Sequence, residues 1–254
     1  MDLKVYVLDG GRLVTEDASI FSADGNYRGE HWDMANPCYL VVHPLGRLMW
    51  DCGFEDSLAD LPSGYNSGRS IWSLPKKLAQ QLSEMSIDPQ DIDYFTLSHS
   101  HLDHSGNANL FRGSTWIVDE AERDFMFRAD ARQSKEFKNY DALERAQVRT
   151  FTSDHDVFGD GSVVILRTPG HTPGHAALLV NLPQSGPVIF TGDLWYTCRC
   201  RTTRNIPSNN TDRRQTFESM ARIEDLAREL GARIIIQHER ADWESMPRYP
   251  EYLR

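Results

Sequence analysis

The sequence predicts an α/β protein, one domain over residues 1–254, in which strands, several paired antiparallel, alternate with amphipathic helices. Three observations lead there. Short β-branched and aromatic runs recur between glycine- and proline-rich breaks. Stretches with apolar residues at helical spacing lie between those runs. Several of the runs end on a histidine or an aspartate, as strands that deliver side chains to one edge of a fold do.

The elements follow in order. Lys4-Val5-Tyr6-Val7-Leu8 reads as a strand closed by a turn at Gly10-Gly11, and the polar, aromatic segment from Phe21 to Asn36 as a loop. Cys38 to His43 and Arg47 to Asp51 flank Pro44-Leu45-Gly46 like a hairpin. The Pro-, Gly- and Ser-rich stretch from Asp60 to Ser73 reads as a loop leading into a helix over Lys76 to Met85, with Leu78, Leu82 and Met85 on its apolar face. Tyr94 to Leu97 and Thr115 to Val118 are strand-like, and Asp119 caps a helix from Glu120 to Phe127. The charged stretch from Arg128 to Arg149 is helix-compatible, a cap or insertion. Ser162 to Leu166, Ala176 to Val180 and Val188 to Thr191 read as strands. A helix from Thr211 to Leu230 stops at Gly231, and a last strand, Arg233 to Gln237, delivers His238.

The chain has 254 residues, 40% of them hydrophobic, enough for a sizeable core and unlike a disordered or collagenous sequence. Its net charge of −10, with no Lys/Arg cluster, argues against nucleic acid as a partner. No apolar run approaches the ~20 residues of a membrane span. The N-terminus has neither the basic nor the apolar region of a secretory signal, so a cytoplasmic location is expected. Cys38, Cys52, Cys198 and Cys200 read as reduced thiols, and the one-residue gap in Cys198-Arg199-Cys200 is a poor zinc spacing.

Chemistry concentrates in Ser98-His99-Ser100-His101-Leu102-Asp103-His104, which puts three imidazoles and a carboxylate at the end of an apolar strand. Buried rings without a cation would leave ring nitrogens unpartnered, whereas imidazole and carboxylate suit zinc and its neighbours. On an extended stretch His99 and His101 point the same way, and Asp103 and His104 lie beyond on a turn. That geometry suits two neighbouring ions, which need a further carboxylate between them. The strand-end pattern recurs at His171, in Gly192-Asp193 and at His238.

These residues resemble the metallo-β-lactamase superfamily of binuclear hydrolases, in which His99-x-His101-x-Asp103-His104 matches the metal motif and His171, Asp193 and His238 the later ligands. The resemblance runs from about Val5 to His238. It implies an αββα sandwich of two mixed, mostly antiparallel sheets flanked by helices. It implies two divalent ions, zinc first: one held by His99, His101 and His171, the other by Asp103, His104 and His238, with Asp193 bridging. The implied reaction is hydrolysis by a hydroxide shared between the ions. His175 is expected beside the ligands rather than among them, and His31, His43 and His155 outside the site.

Tyr196, three residues after Asp193, resembles the group of N-acyl-homoserine lactonases and 4-pyridoxolactonase, where the matching tyrosine contacts the lactone oxygens. The resemblance thus implies a small-molecule lactone substrate, foremost an N-acyl-homoserine lactone, and quorum-signal degradation, with a homodimer left open. Tyr196 is then an oxyanion donor and Asp103, by its position, a general acid as well. Two departures stand out: Leu102 where an aromatic is common, and Gln237-His238-Glu239 where Gly-His-Asp or Ser-His-Asp is commoner, with Glu239 a candidate acceptor for a ligand histidine. Trp32, Tyr65, Trp72 and Phe125 are candidates to line an acyl groove. The competing readings are another small lactone, a glyoxalase II-like thioesterase and, among non-enzymes, a metal-binding sensor.

Overall fold

In the computed structural model, which describes residues 2–254, the chain opens with the long antiparallel pair β1 (Lys4–Thr15) and β2 (Trp32–His43). A tight turn leads to β3 (Gly46–Trp50), and an edge hairpin of β4 (Tyr65–Asn66) and β5 (Ile71–Ser73) pairs onto the other side of β1. Helix α1 (Leu78–Glu84) then leads to β6 (Tyr94–Thr96), the single turn α2 (Leu102–Ser105), β7 (Thr115–Asp119), α3 (Glu120–Met126) and β8 (Val148–Phe151). Strands β6 to β8 add in parallel, which completes an eight-stranded sheet in the order β4-β5-β1-β2-β3-β6-β7-β8.

A second, five-stranded sheet begins with β9 (His155–Asp156), β10 (Val163–Arg167), β11 (Ala176–Leu182) and β12 (Gly186–Phe190), all antiparallel. After α4 (Cys198–Thr203) and α5 (Arg213–Leu230), β13 (Arg233–Ile235) pairs in parallel with β12, and α6 (Arg240–Ser245) follows. The Asp212 carboxylate caps α5 by accepting from the Gln215 N–H at 2.9 Å, and Gly231 ends it in the left-handed conformation, φ 63°.

The layers follow from the alternation of apolar residues along the strands. Val5, Val7, Tyr39, Val41 and Trp50 of the first sheet pack on Ile165, Leu178, Val180 and Phe190 of the second. The outer face of the first sheet buries Phe95 and Trp116 with Leu78 and Leu82 of α1. The outer face of the second buries Ala177, Leu179 and Ile189 under Met220, Ile223 and Ala227 of α5. This is an αββα sandwich in which the sheet faces, not backbone propensity, set the register. Among the described residues no helix is long and apolar enough to cross a membrane.

Several expectations change. Gly10-Gly11 makes no reversal: β1 continues through a bulge between Asp9 and Arg12. A Cβ on Gly10 would sit 2.6 Å from the Asn36 carbonyl and 2.8 Å from Gly53 Cα, so the glycine serves close approach, letting the Gly53 loop lie on the strand. β2 begins at Trp32, six residues before the apolar run that signals it, because pairing with β1 carries it outward. The loop predicted from Asp60 to Ser73 contains the β4–β5 hairpin. Residues 128–149 form three short 3-10 turns and the start of β8, not a helix: Tyr140 and Leu143 are buried one by one against Phe127 and Phe137, with no continuous apolar stripe. Helices α4 and α6 were not anticipated; their cues are the caps at Thr197 and Glu239.

Candidate metal centre and active site

Five segments at one edge of the sandwich bring seven donors together. The segment after β6 carries His99 and His101, and α2 carries Asp103 and His104. The β10–β11 connection brings His171, the turn after β12 brings Asp193, and the turn after β13 brings His238. They form two groups: His99, His101, His171 and Asp193; and Asp103, His104 and His238. The alternation of His99 and His101 therefore has the predicted effect, and Asp103 and His104 face the other way.

Asp193 lies between the groups. Its Oδ2 is 3.6 Å from His99 Nε2 and 3.4 Å from His171 Nε2, and its Oδ1 is 3.1 Å from His104 Nε2 and 3.0 Å from His238 Nε2. Asp103 Oδ2 is 3.7 Å from both His104 Nε2 and His238 Nε2. Four ligand atoms around an ion at 2.0–2.1 Å in a tetrahedron stand roughly 3.3–3.4 Å apart, so these spacings suit a small divalent cation.

The hydrogen bonds behind the rings decide which nitrogens face inward. His104 Nδ1 donates to Asp51 Oδ2 at 3.0 Å, His171 Nδ1 to Asn210 Oδ1 at 2.8 Å, and His238 Nδ1 to the Ala35 carbonyl at 2.8 Å. His99 Nδ1 lies 3.1 Å from Ser98 Oγ, whose own proton goes to Asp51 Oδ2 at 2.9 Å. Each of these rings thus turns its Nε2 toward the centre. His101 Nδ1 meets two of them, 2.9 Å from His99 Nε2 and 3.0 Å from His171 Nε2. His104 Nε2 and Asp193 Oδ1 are buried without a hydrogen-bond partner. Ring nitrogens packed against one another, with buried polar atoms left without partners, call for cations at this place, and the donor set fits them.

Electrostatics divides the two groups. Burial pushes His99 and His171 well below the usual imidazole pKa, and His101 below it, so these rings are neutral and ready to ligate. At His104 burial is outweighed by the negative charges of Asp193, Asp103 and Asp51, and at His238 by those of Asp193 and Asp103; both pKa values rise. Burial also works against the Asp193 carboxylate, but the charges of His238, His104 and His99 hold its pKa well below the usual range.

Asp51 is the functional residue that the sequence reading missed. It directly follows β3, adopts φ 56°, and accepts from the Ser98 N–H at 2.6 Å as well as from Ser98 Oγ and His104. A non-glycine residue in that conformation marks a constraint imposed by its surroundings. The signal was present, since Asp51 follows Leu48-Met49-Trp50 as the other site residues follow their strands. Glu122 on α3 was missed too. Buried, it accepts from the Ser100 N–H at 2.8 Å and the Gly174 N–H at 3.0 Å, tying together the two loops that carry His99, His101 and His171.

His175 lies beside the cluster. Its Nε2 accepts from the Asp193 N–H at 3.0 Å and its Nδ1 donates to the Thr168 carbonyl at 3.0 Å. Gly192, at φ 52°, makes the turn that aims Asp193, and a Cβ there would come 2.8 Å from His175 Nε2. Burial lowers the His175 pKa to about 4. Because the folded value lies below the unfolded one, this contribution to stability is full above the unfolded value of about 6.5 and fades as pH falls toward 4, a loss of about 3 kcal/mol. An NMR titration of the imidazoles should find the His175 ring neutral at pH 5; protonation near pH 6.5 would contradict its burial and tautomer.

The donors floor a cavity of about 520 Å³ whose lining includes His101, Asp103, Asp193 and His238. Phe21, Met34, Phe54, Trp72 and Phe125 make its apolar walls, in the usual size range for a small-molecule site. Of the aromatics proposed for a groove, Trp72 and Phe125 line this cavity. Tyr65 lines an adjoining one of about 460 Å³ that shares Phe54, Trp72 and Leu102, and Trp32 faces elsewhere, although it stacks on Phe21 at 5.6 Å. Tyr196 also lines the main cavity, its ring stacked on His238 at 5.2 Å. Burial and then the charges of Asp193 and Asp103 push its pKa well above the usual phenol range, so it keeps its proton. Glu239 does not serve a ligand histidine: its carboxylate accepts from the Cys198 and Ala241 N–H groups, because it caps α6 while His238 turns to Ala35. His31, His43 and His155 lie outside the donor cluster.

The chain is 30% identical over 261 residues to the N-acyl homoserine lactonase AttM of Azorhizobium caulinodans, covering 99% of this chain and 98% of that protein. It is 25% identical to the N-acyl homoserine lactonase AiiA of Bacillus thuringiensis subsp. kurstaki, covering 98% of each. A solved N-acyl homoserine lactone hydrolase, with the product N-hexanoyl-L-homoserine at its catalytic metal center, matches 100% of both chains with a TM-score of 0.84 and 25% identity. The family match to the Metallo-beta-lactamase superfamily runs over residues 32–238, from the first residue of β2 to the last donor of the cluster. The chain therefore belongs to the metallo-β-lactamase superfamily.

Proposed function

We propose that the protein is a divalent-metal-dependent hydrolase that opens the ring of N-acyl homoserine lactones and so degrades a quorum signal. The single observation carrying this reading is Tyr196, a protonated phenol beside the two-part donor cluster in an apolar-walled cavity, in a chain similar over its length to lactonases. In this reading His99, His101 and His171 hold one ion, Asp103, His104 and His238 the other, and Asp193 stands between them. When bound, two divalent cations, zinc foremost, supply Lewis acidity that activates water and polarises the ester carbonyl.

The residues divide the rest of the work. Water adds to the lactone carbonyl carbon, and the Tyr196 O–H donates to the carbonyl oxygen as negative charge gathers there. The ring C–O bond then breaks, leaving an alkoxide and a carboxylic acid in one molecule, and the acid ionises by releasing its proton to solvent. Asp103, the most exposed carboxylate of the cluster, passes the proton released by the attacking water to that alkoxide. Asp51, Asn210 and Ala35 keep the Nε2 atoms of His104, His171 and His238 aimed at the centre throughout. The apolar walls take the acyl chain. The same reading includes a cytoplasmic address, with which the four free thiols agree.

A pH-indicator assay on zinc-loaded protein tests it, with short- and long-chain N-acyl homoserine lactones run beside 4-pyridoxolactone, S-lactoylglutathione and a β-lactam. Efficient opening of the homoserine lactones is expected. Turnover of another substrate with silence on these would move the function to that substrate, and metal uptake without turnover of any would favour a sensor.

A further inference from the structure

We propose that Asn36 is a positioning residue that, with Gln237, locks Asp103 and His238 into one geometry and so sets the affinity of the second metal position; this rests on the ligand assignment proposed above. Both side chains are buried, Asn36 2% and Gln237 1% exposed. Asn36 Nδ2 donates to the Asp103 carbonyl at 2.6 Å and to the Gly10 carbonyl at 3.2 Å. Its Oδ1 accepts from Gln237 Nε2 at 3.3 Å, and the same nitrogen donates to the Pro37 carbonyl at 2.7 Å. The network admits one orientation of the Asn36 amide: flipped, its oxygen would face two carbonyls and its nitrogen would face the Gln237 NH₂.

The consequence lies in what is tied together. The Ala35-Asn36-Pro37 stretch of β2 accepts from His238 through Ala35, holds the α2 turn by the backbone of Asp103 through Asn36, and holds the residue before His238 through Pro37. Asp103 and His238 come from segments 135 residues apart in the chain, as their numbers show, and meet at 3.7 Å. The two amides are the polar link between those segments, and they act on the second donor group alone. The first group is braced separately, by Glu122 and Asn210. Gln237 also keeps a buried Oε1 without a partner, a cost that a purely structural residue could shed by becoming apolar.

The test is a competitive-chelator titration of chelator-stripped protein with zinc, and the visible spectrum of the cobalt-loaded form, for wild type, Asn36→Ala and Gln237→Met. Asn36→Ala is expected to weaken the second ion about 10–100-fold while leaving the first within about threefold, to change the cobalt spectrum, and to lower kcat more than it raises KM. Gln237→Met, which deletes both the donor and the orphaned oxygen, is expected to fold even if Asn36→Ala does not and to shift the same affinity in the same direction by less. If wild type binds two ions and whichever of these variants folds leaves the ratio of the two affinities and the cobalt spectrum unchanged, with only the melting temperature lowered, Asn36 is structural and the inference fails. If wild type takes up no second ion, the ligand assignment itself fails and the inference with it.

Discussion

Replacing Asp193 with alanine is expected to abolish measurable lactone opening, lowering kcat/KM by at least about 1000-fold, and to strip metal from both positions rather than one. The reason is positional. Its two oxygens face the two groups separately, 3.0–3.1 Å from His104 and His238 on one side and 3.4–3.6 Å from His99 and His171 on the other. Without it each group keeps three donors, but the first has no anion left to offset the ion's charge and the second has Asp103 alone. The fold should survive, because the backbone N–H of residue 193 still donates to His175 and the apolar layers do not involve the side chain. Variant and wild type are therefore both expected to fold without metal, while the rise in melting temperature that zinc gives wild type is lost in the variant. Elemental analysis showing two ions per chain in Asp193→Ala, or a near-normal rate, would overturn the assignment of Asp193.

Tyr196→Phe separates chemistry from metal binding. The phenol stays protonated because burial and the nearby Asp193 and Asp103 charges raise its pKa, so it enters the reaction as a donor. The ring itself packs on His238 at 5.2 Å and on Phe21 at 5.0 Å, contacts that phenylalanine keeps. The variant should hold its metal and its stability yet open lactones about 10–1000-fold more slowly, the loss falling on kcat as befits a hydrogen bond that strengthens as the oxyanion forms. An unchanged rate would reduce Tyr196 to packing.

The donor set was readable because the chemistry forces it into a dense local pattern: strand ends place His99, His101, His171, Asp193 and His238 at one edge, and each run of apolar residues announces its strand. What supports the donors was less legible. Asp51 obeys the same strand-end rule but is one carboxylate with no neighbouring imidazole in sequence, and its partners Ser98 and His104 lie far along the chain. Asn36 and Gln237 meet only in three dimensions. The glycines at 10 and 11 imitate a turn, whereas their use is the close approach of another backbone, which no local signal distinguishes. Residues 128–149 look helical by charge and propensity, but burial of separate side chains breaks them into turns. Tertiary contact outweighs propensity there.

The decisive measurement is a stepwise zinc titration of chelator-stripped protein, with bound ions per chain and opening of an N-acyl homoserine lactone followed in the same samples. Activity should be absent from the stripped protein, rise as the second ion binds, and vanish again on adding chelator. Lactone opening by the stripped protein, or full activity with one ion bound, would contradict a two-ion centre built from these residues.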